Sequence, residues 1–268
     1  LMIVDCFPFF NELDLLEIRL NILKDVVDKF VLVEASKTQT KLDKPFYFED
    51  NKDRFTDFLD RIVHVKVTDY PDQDGWAMEN YQRNCITNGI NTLGLKDDDI
   101  IAVSDVDEIW NPIIANTMCN LIPVNRIISV DMVYRVFYLN LETVDKRWIG
   151  TVFTDFNSFK QMPSAPQKMR NNKDFVLNIP NSGWHFGYQG GKEKVYQKWL
   201  SCIEPFDKSK IPDKDIFFAE FDKRIKDNGS FIYSDNITKE DIKLMKVTDD
   251  NLPEYVKVNK DLYTHMIV

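Results

Sequence analysis

Short apolar blocks bounded by polar residues recur through the first half of the chain, and their spacing sets the expected elements. Met2 to Phe10 reads as a strand that meets a loop at Pro8. Asn11 to Asp14 then opens a helix, with Asn11 as N-cap, Glu12 and Asp14 at the positive end of its dipole, and Leu16, Leu20 and Leu23 at helical spacing through Lys24. Phe30 to Glu34 is the next strand and completes a β-α-β unit, expected to be parallel and right-handed. Arg61 to Val67 alternates cleanly, so it predicts a strand with one wetter face, on which His64 is expected to be exposed. A loop from Thr68 to Gly75 precedes a helix from about Trp76 to Leu93, and Ile100 to Val103 is a buried strand between two acidic clusters.

In the second half, Asn111-Pro112 predicts a helix start, Arg126 to Asn140 a long strand, and Lys146 to Phe153 its antiparallel partner. Asn181 to Gly191 holds four of the nine glycines and reads as a loop with unusual backbone angles or a close approach. Lys192 to Ile203 and Pro212 to Asp227 follow as amphipathic helices, the second stopped by Asn228-Gly229. Thr238 to Asp241 resembles a capping box, and the tail from Asn251 to Val268 predicts a final helical segment. No linker-like stretch interrupts this order. One domain is expected over 1–268, in three parts: 1–110, 111–205 and a helical C-terminal region at 206–268.

Composition narrows the class. An apolar fraction of 44% with 13% aromatic residues supports a large core, and the absence of low-complexity tracts excludes a disordered chain. The excess of 43 Asp+Glu over 34 Lys+Arg, a net charge of −9, argues against nucleic acid as a partner while leaving room for a local basic pocket. The cysteines, Cys6, Cys85, Cys119 and Cys202, are scattered without zinc-type spacing and are expected to be reduced thiols. No apolar run reaches the ~18 residues of a membrane span, and no signal-peptide pattern opens the chain, so a cytoplasmic protein is expected.

The candidate chemistry centres on Asp105-Val106-Asp107-Glu108, which follows the Ile100 to Val103 strand where open α/β sheets place ligands. Carboxylates clustered there suit a hard divalent cation that in turn holds nucleotide phosphates; the plainer reading is a solvated acidic turn. Glu34, at another strand end, is either a solvated terminus or a contact to a nucleotide base or ribose. Arg83 is either a surface charge or a phosphate clamp. His185 is either a hydrogen-bonded core residue or a metal ligand that joins the carboxylates.

Five segments occur in order across most of the chain: Asp5-Cys6-Phe7-Pro8-Phe9-Phe10-Asn11-Glu12-Leu13-Asp14, Phe30-Val31-Leu32-Val33-Glu34, Tyr81-Gln82-Arg83-Asn84, Asp105-Val106-Asp107-Glu108-Ile109 and Gly183-Trp184-His185. As an ordered set they resemble glycosyltransferase family 17. The resemblance implies an α/β, GT-A-type fold: a Rossmann-like mixed, mainly parallel sheet flanked by helices, with the helical C-terminal region behind it. It also implies an inverting, metal-dependent enzyme that moves a sugar, GlcNAc from UDP-GlcNAc, onto a hydroxyl of a glycan or glycoprotein with a β linkage.

By that resemblance Asp107 is a direct ligand of Mn2+ or Mg2+, Asp105 meets the ribose or the metal, and His185 is a further ligand. Phe7, Pro8, Phe9, Asn11 and Glu34 form the uridine pocket, while Arg83 with Asn84 meets the diphosphate. The base that takes the acceptor's proton is expected at Asp155, with Asp131 and Glu142 as the other choices. Two rival readings are a metal-dependent phosphohydrolase or nucleotidyltransferase, and a catalytically silent nucleotide-sugar-binding module.

Overall fold

The computed structural model describes residues 1–70, 75–201, 211–230 and 242–268. In chain order these form β1 (Ile3–Phe9), α1 (Leu13–Leu23), β2 (Lys29–Ala35), α2 (Tyr47–Asp50), β3 (Ile62–Val67), α3 (Trp76–Asn84), α4 (Ile86–Ile90), β4 (Ile100–Val103), β5 (Glu108–Trp110), α5 (Ala115–Asn125), β6 (Ile127–Val136) and β7 (Leu141–Asp155). They continue with α6 (Phe156–Gln161), α7 (Ala165–Asn171), β8 (Leu177–Ile179), β9 (Gly183–Gly187), α8 (Gly191–Ser201), α9 (Lys214–Lys226), β10 (Gly229–Ser230), β11 (Ile242–Lys246) and α10 (Glu254–Val258). The capping-box stretch at Thr238 to Asp241 and Cys202 lie outside the described residues. Among those described, no helix is long and apolar enough to cross a membrane.

Two compact units emerge: Leu1–Met132 with Ile149–Trp184, and Val133–Trp148 with His185–Val268. The boundaries of these units fall inside β6, β7 and β9.

In the first unit β3-β2-β1-β4 run side by side, with β7 next to β4. β3, β2, β1 and β4 are mutually parallel, and β7 lies antiparallel to β4, so the sheet is mixed and mainly parallel, flanked by helices as expected. β1 and β2 are buried almost throughout, which explains their unbroken apolar runs. One face packs Val4, Cys6, Val31, Val33, Ile101 and Val103 against Ile86 and Ile90. The helix expected over Trp76 to Leu93 is instead two, because the backbone flattens at Cys85 (ψ −11°). Beyond that break α4 comes so near the sheet that a Cβ at Gly89 would lie 2.5 Å from Val31 Cγ1.

The second unit has its own core, built from Tyr134, Phe137, Leu141, Trp199, Phe217, Phe221, Ile242 and Leu244 among others. The C-terminal region is not purely helical: β11 adds to β7 antiparallel, pairing Leu244 with Thr143 and Lys246 with Leu141. The stretch read as a glycine-rich loop is also partly a strand, β9. Its glycines serve close packing, since a Cβ on Gly183 would lie 2.6 Å from the Ile109 carbonyl oxygen, whereas Gly190 and Gly191 turn the chain at positive φ.

Candidate active site

Asp105 to Glu108 forms a tight turn beyond the carboxyl end of β4, where the pattern of the sequence put it. Glu108 N donates to the Asp105 carbonyl at 3.0 Å, and Asp105 N donates to Glu108 Oε2 at 3.1 Å. Beneath the turn lies a residue the sequence reading passed over. Arg19, fully buried on α1, donates through Nη1 to the carbonyls of Asp105, Val106 and Glu108 at 3.0, 3.2 and 2.8 Å, and through Nη2 to Ser104 Oγ. Its charge is matched by Asp5, buried on β1, and its guanidinium stacks 4.5 Å above the Phe7 ring. A cation inside the apolar stripe of a helix, opposite an anion inside an apolar strand, was the available signal.

Around the turn sits a dense ionic group. Arg83, on α3, donates to Asp105 Oδ1 at 2.8 Å, Glu79 Oε1 at 2.7 Å and Gln167 Oε1 at 2.6 Å. Arg170, on α7, reaches Asp105 Oδ2 at 3.0 Å and both oxygens of Glu108 at 2.6 and 2.9 Å. Burial would raise the Asp105 carboxyl, but the charges of Arg83 and Arg170 outweigh it and hold the group well below the usual carboxylate range. Burial opposes the charge on Arg83 too, and Asp105 with Glu79 reverses this, so its guanidinium is held above its ordinary value. Lys173 shifts the other way: burial and then the nearby charge of Arg170 lower it, against the pull of Glu108 and Asp105. Neither Arg170 nor Lys173 carries a sequence signal, because both depend on where α7 docks.

The residues expected to form a uridine pocket stand in several settings. Phe7 and Phe9 are core residues, 0% and 1% exposed. Asn11 is not the N-cap; Glu12 holds that position, and its Oε2 accepts from the amides of Phe10 and Asn11 at 3.2 and 3.0 Å. Pro8 is half-buried in β1. Glu34 is fully enclosed and engaged by His64 Nε2 at 3.0 Å, the Phe48 amide at 3.2 Å and Lys44 Nζ at 3.8 Å, so His64 is no exposed strand residue. Next to Glu34 lies only a small depression, with a cavity volume of about 10 Å³, lined by Ala35, Thr38, Gln39, Tyr70, Met78 and Gln82 among others. Gln82, one of its lining residues, donates to the Val33 carbonyl at 3.1 Å. Asn84 serves the scaffold, its Oδ1 accepting from Gln167 N at 3.2 Å.

The three candidate bases lie in three settings. Asp155 caps α6, accepting from Ser158 N at 2.7 Å and Ser158 Oγ at 3.0 Å. It pairs with Ile100, the first residue of β4, and so sits at the opposite end of that strand from Asp105, which follows the last. This removes it from the ionic group. Glu142, in the second unit, faces the buried Arg135 at 3.4 Å, and Asp131 is half-buried on β6.

The expected metal ligands divide similarly. Asp107 is buried in the first unit, whereas His185 belongs to the second, where it stacks between Tyr134 (4.5 Å) and Trp148 (4.4 Å). In neither unit do three His, Cys, Asp or Glu side chains among the described residues gather as a metal would require. Both oxygens of Asp105 are also taken by guanidinium groups. Within the first unit, Asp105 and Asp107 by themselves therefore make no metal centre among the described residues.

Fold and site together define an α/β protein with a charged centre at a strand-end turn, where such sheets bind ligands. The chain belongs to glycosyltransferase family 17, whose sequence profile matches residues 2–192. It is 31% identical over 114 residues to the β-1,4-mannosyl-glycoprotein 4-β-N-acetylglucosaminyltransferase of Rattus norvegicus, covering 40% of this chain and 21% of that protein. It is 33% identical over 106 residues to the Homo sapiens protein of the same name, covering 37% and 20%. The matched stretch thus spans about a fifth of the length of these relatives. Similar solved structures include S. aureus TarS 1-349 in complex with UDP-GlcNAc, at TM-score 0.45 and 10% identity over 82% of this chain and 71% of that one. The mannosyltransferase PcManGT from Pyrobaculum calidifontis, in complex with GDP-Man and Mn2+, is similar at TM-score 0.43 and 12% identity over 74% and 60%.

Proposed function

We propose that this chain transfers N-acetylglucosamine from UDP-GlcNAc to a glycan hydroxyl, with inversion at the anomeric carbon and a β linkage in the product. Membership of family 17 over residues 2–192 carries the reading, and the names of the rat and human relatives support the sugar. The ionic group around the Asp105 turn supports the chemistry. In the transfer, the acceptor oxygen bonds to the anomeric carbon while the bond from that carbon to the diphosphate breaks. Negative charge then grows on the departing UDP, and preorganised cations stabilise it most where water is excluded. Arg83 and Arg170, with side chains only 5% and 9% exposed, are suited to that task. The steps described here are those of the chain's own residues. The three carboxylates expected as base are each to be tested by substitution: Asp155, which caps α6, Glu142, which faces Arg135, and Asp131.

The test is incubation with UDP-GlcNAc and a panel of mannose-containing glycans, with and without Mn2+, reading UDP release and the linkage of any product. A β-linked GlcNAc product is expected. UDP-sugar consumption without acceptor would mark a hydrolase, and the absence of any thermal stabilisation by UDP-, GDP- or dTDP-sugars would sink the reading altogether.

A further inference from the structure

Among the described residues Asp105 is the most exposed member of its ion-pair set: its side chain is 35% exposed, while those of Arg83, Arg170, Glu79 and Glu108 are 5%, 9%, 19% and 0% exposed. It bridges the two arginines with one oxygen each, at 2.8 and 3.0 Å. A phosphate presents two oxygens at a similar spacing, and guanidinium groups match both anions through the same paired geometry. A carboxylate placed in this way occupies the position a phosphate would need. Arg83 also keeps Nε buried with no hydrogen-bond partner among the described residues, a donor held in reserve beside the exchange point. Lys173, disfavoured in its charged form by burial and by Arg170, gains from any additional anion nearby.

We propose that Asp105 is an internal stand-in for phosphate: it holds Arg83 and Arg170 aimed while the site is empty, and a pyrophosphate group displaces it to bind the two arginines and Lys173. The inference rests on the proposed nucleotide-sugar reading for its biological ligand, but the exchange itself concerns a pyrophosphate anion of any origin. It assigns Arg170 and Lys173 as phosphate-binding residues and makes Asp105 a competitor of the ligand in the metal-free state.

The sign of one substitution tests this. Inorganic pyrophosphate and, separately, UDP are titrated into the whole chain by calorimetry in the presence of a metal chelator, using wild type, Asp105→Asn, Lys173→Met and Arg170→Lys. Loss of a competing charged contact is expected to tighten pyrophosphate binding to Asp105→Asn by about tenfold, and Lys173→Met to weaken it by a similar factor. Lys173→Met and Asp105→Asn keep the inference testable if Arg170→Lys fails to fold. Weaker or unchanged binding by Asp105→Asn overturns the exchange, even if UDP binds the wild type and the functional reading survives. Tighter pyrophosphate binding by Asp105→Asn with no preference for UDP over pyrophosphate upholds the exchange and counts against the nucleotide-sugar reading.

Discussion

Arg19 and Asp5 meet as a bidentate pair with no exposed side-chain surface on either partner, Nε to Oδ2 at 2.7 Å and Nη2 to Oδ1 at 2.8 Å. The pair joins the first helix to the first strand, and the remaining donors of Arg19 hold the Asp105 turn by its carbonyls. Trp110 Nε1 adds a bond to Asp5 Oδ1 at 3.2 Å. Removing one partner leaves a buried charge unmatched, at a cost of about 3–5 kcal/mol. Arg19→Met is therefore expected to lower the unfolding free energy by about that amount in urea titrations. A loss below about 1 kcal/mol would show that water reaches the pair.

Asp155→Ala separates a cap from a base. Removing the side chain that accepts from Ser158 N is expected to cost about 1 kcal/mol of stability and to leave turnover with UDP-GlcNAc within about twofold of wild type. A hundredfold fall in kcat with stability unchanged would restore Asp155 as the proton acceptor.

Acid should act on the Asp105 turn in a defined direction. Because the folded carboxyl is held below its unfolded value, its contribution to stability is fully present above the unfolded carboxylate range, near pH 4, and is lost as pH falls toward the lower folded value. The difference in unfolding free energy between wild type and Asp105→Asn is thus expected to be constant from pH 5 to 7 and to shrink below about pH 4. A difference that grows as the solution is acidified would contradict the ion-pair assignment.

With both Asp105 oxygens held by arginines, Mn2+ alone is expected to leave the melting temperature of the ligand-free chain unchanged. A shift of several degrees with Mn2+ and no nucleotide would show that a metal centre forms without the ligand.

How much of this was legible beforehand depends on the range of each interaction. The strands β1, β2 and β4 announced themselves because strands buried on both faces need unbroken apolar runs, and the Asp105 turn followed as the polar segment at the end of one. The break at Cys85, the strand character of Gly183–Gly187 and the enclosure of Glu34 by His64 and Phe48 did not, since each is decided by what packs against it.

The sequence alone determined the β-α-β opening, the family likeness and the location of acid beyond β4, because local hydrophobic periodicity and turn chemistry act over a few residues. Tertiary structure alone decided that Asp105 faces two arginines 22 and 65 positions away, that Asp155 caps a helix at the opposite strand end, and that Asp5 is matched by Arg19. Burial removes water from these charges, and the identity of the partner that replaces it is set by chain segments that meet only when the sheet and its helices have assembled.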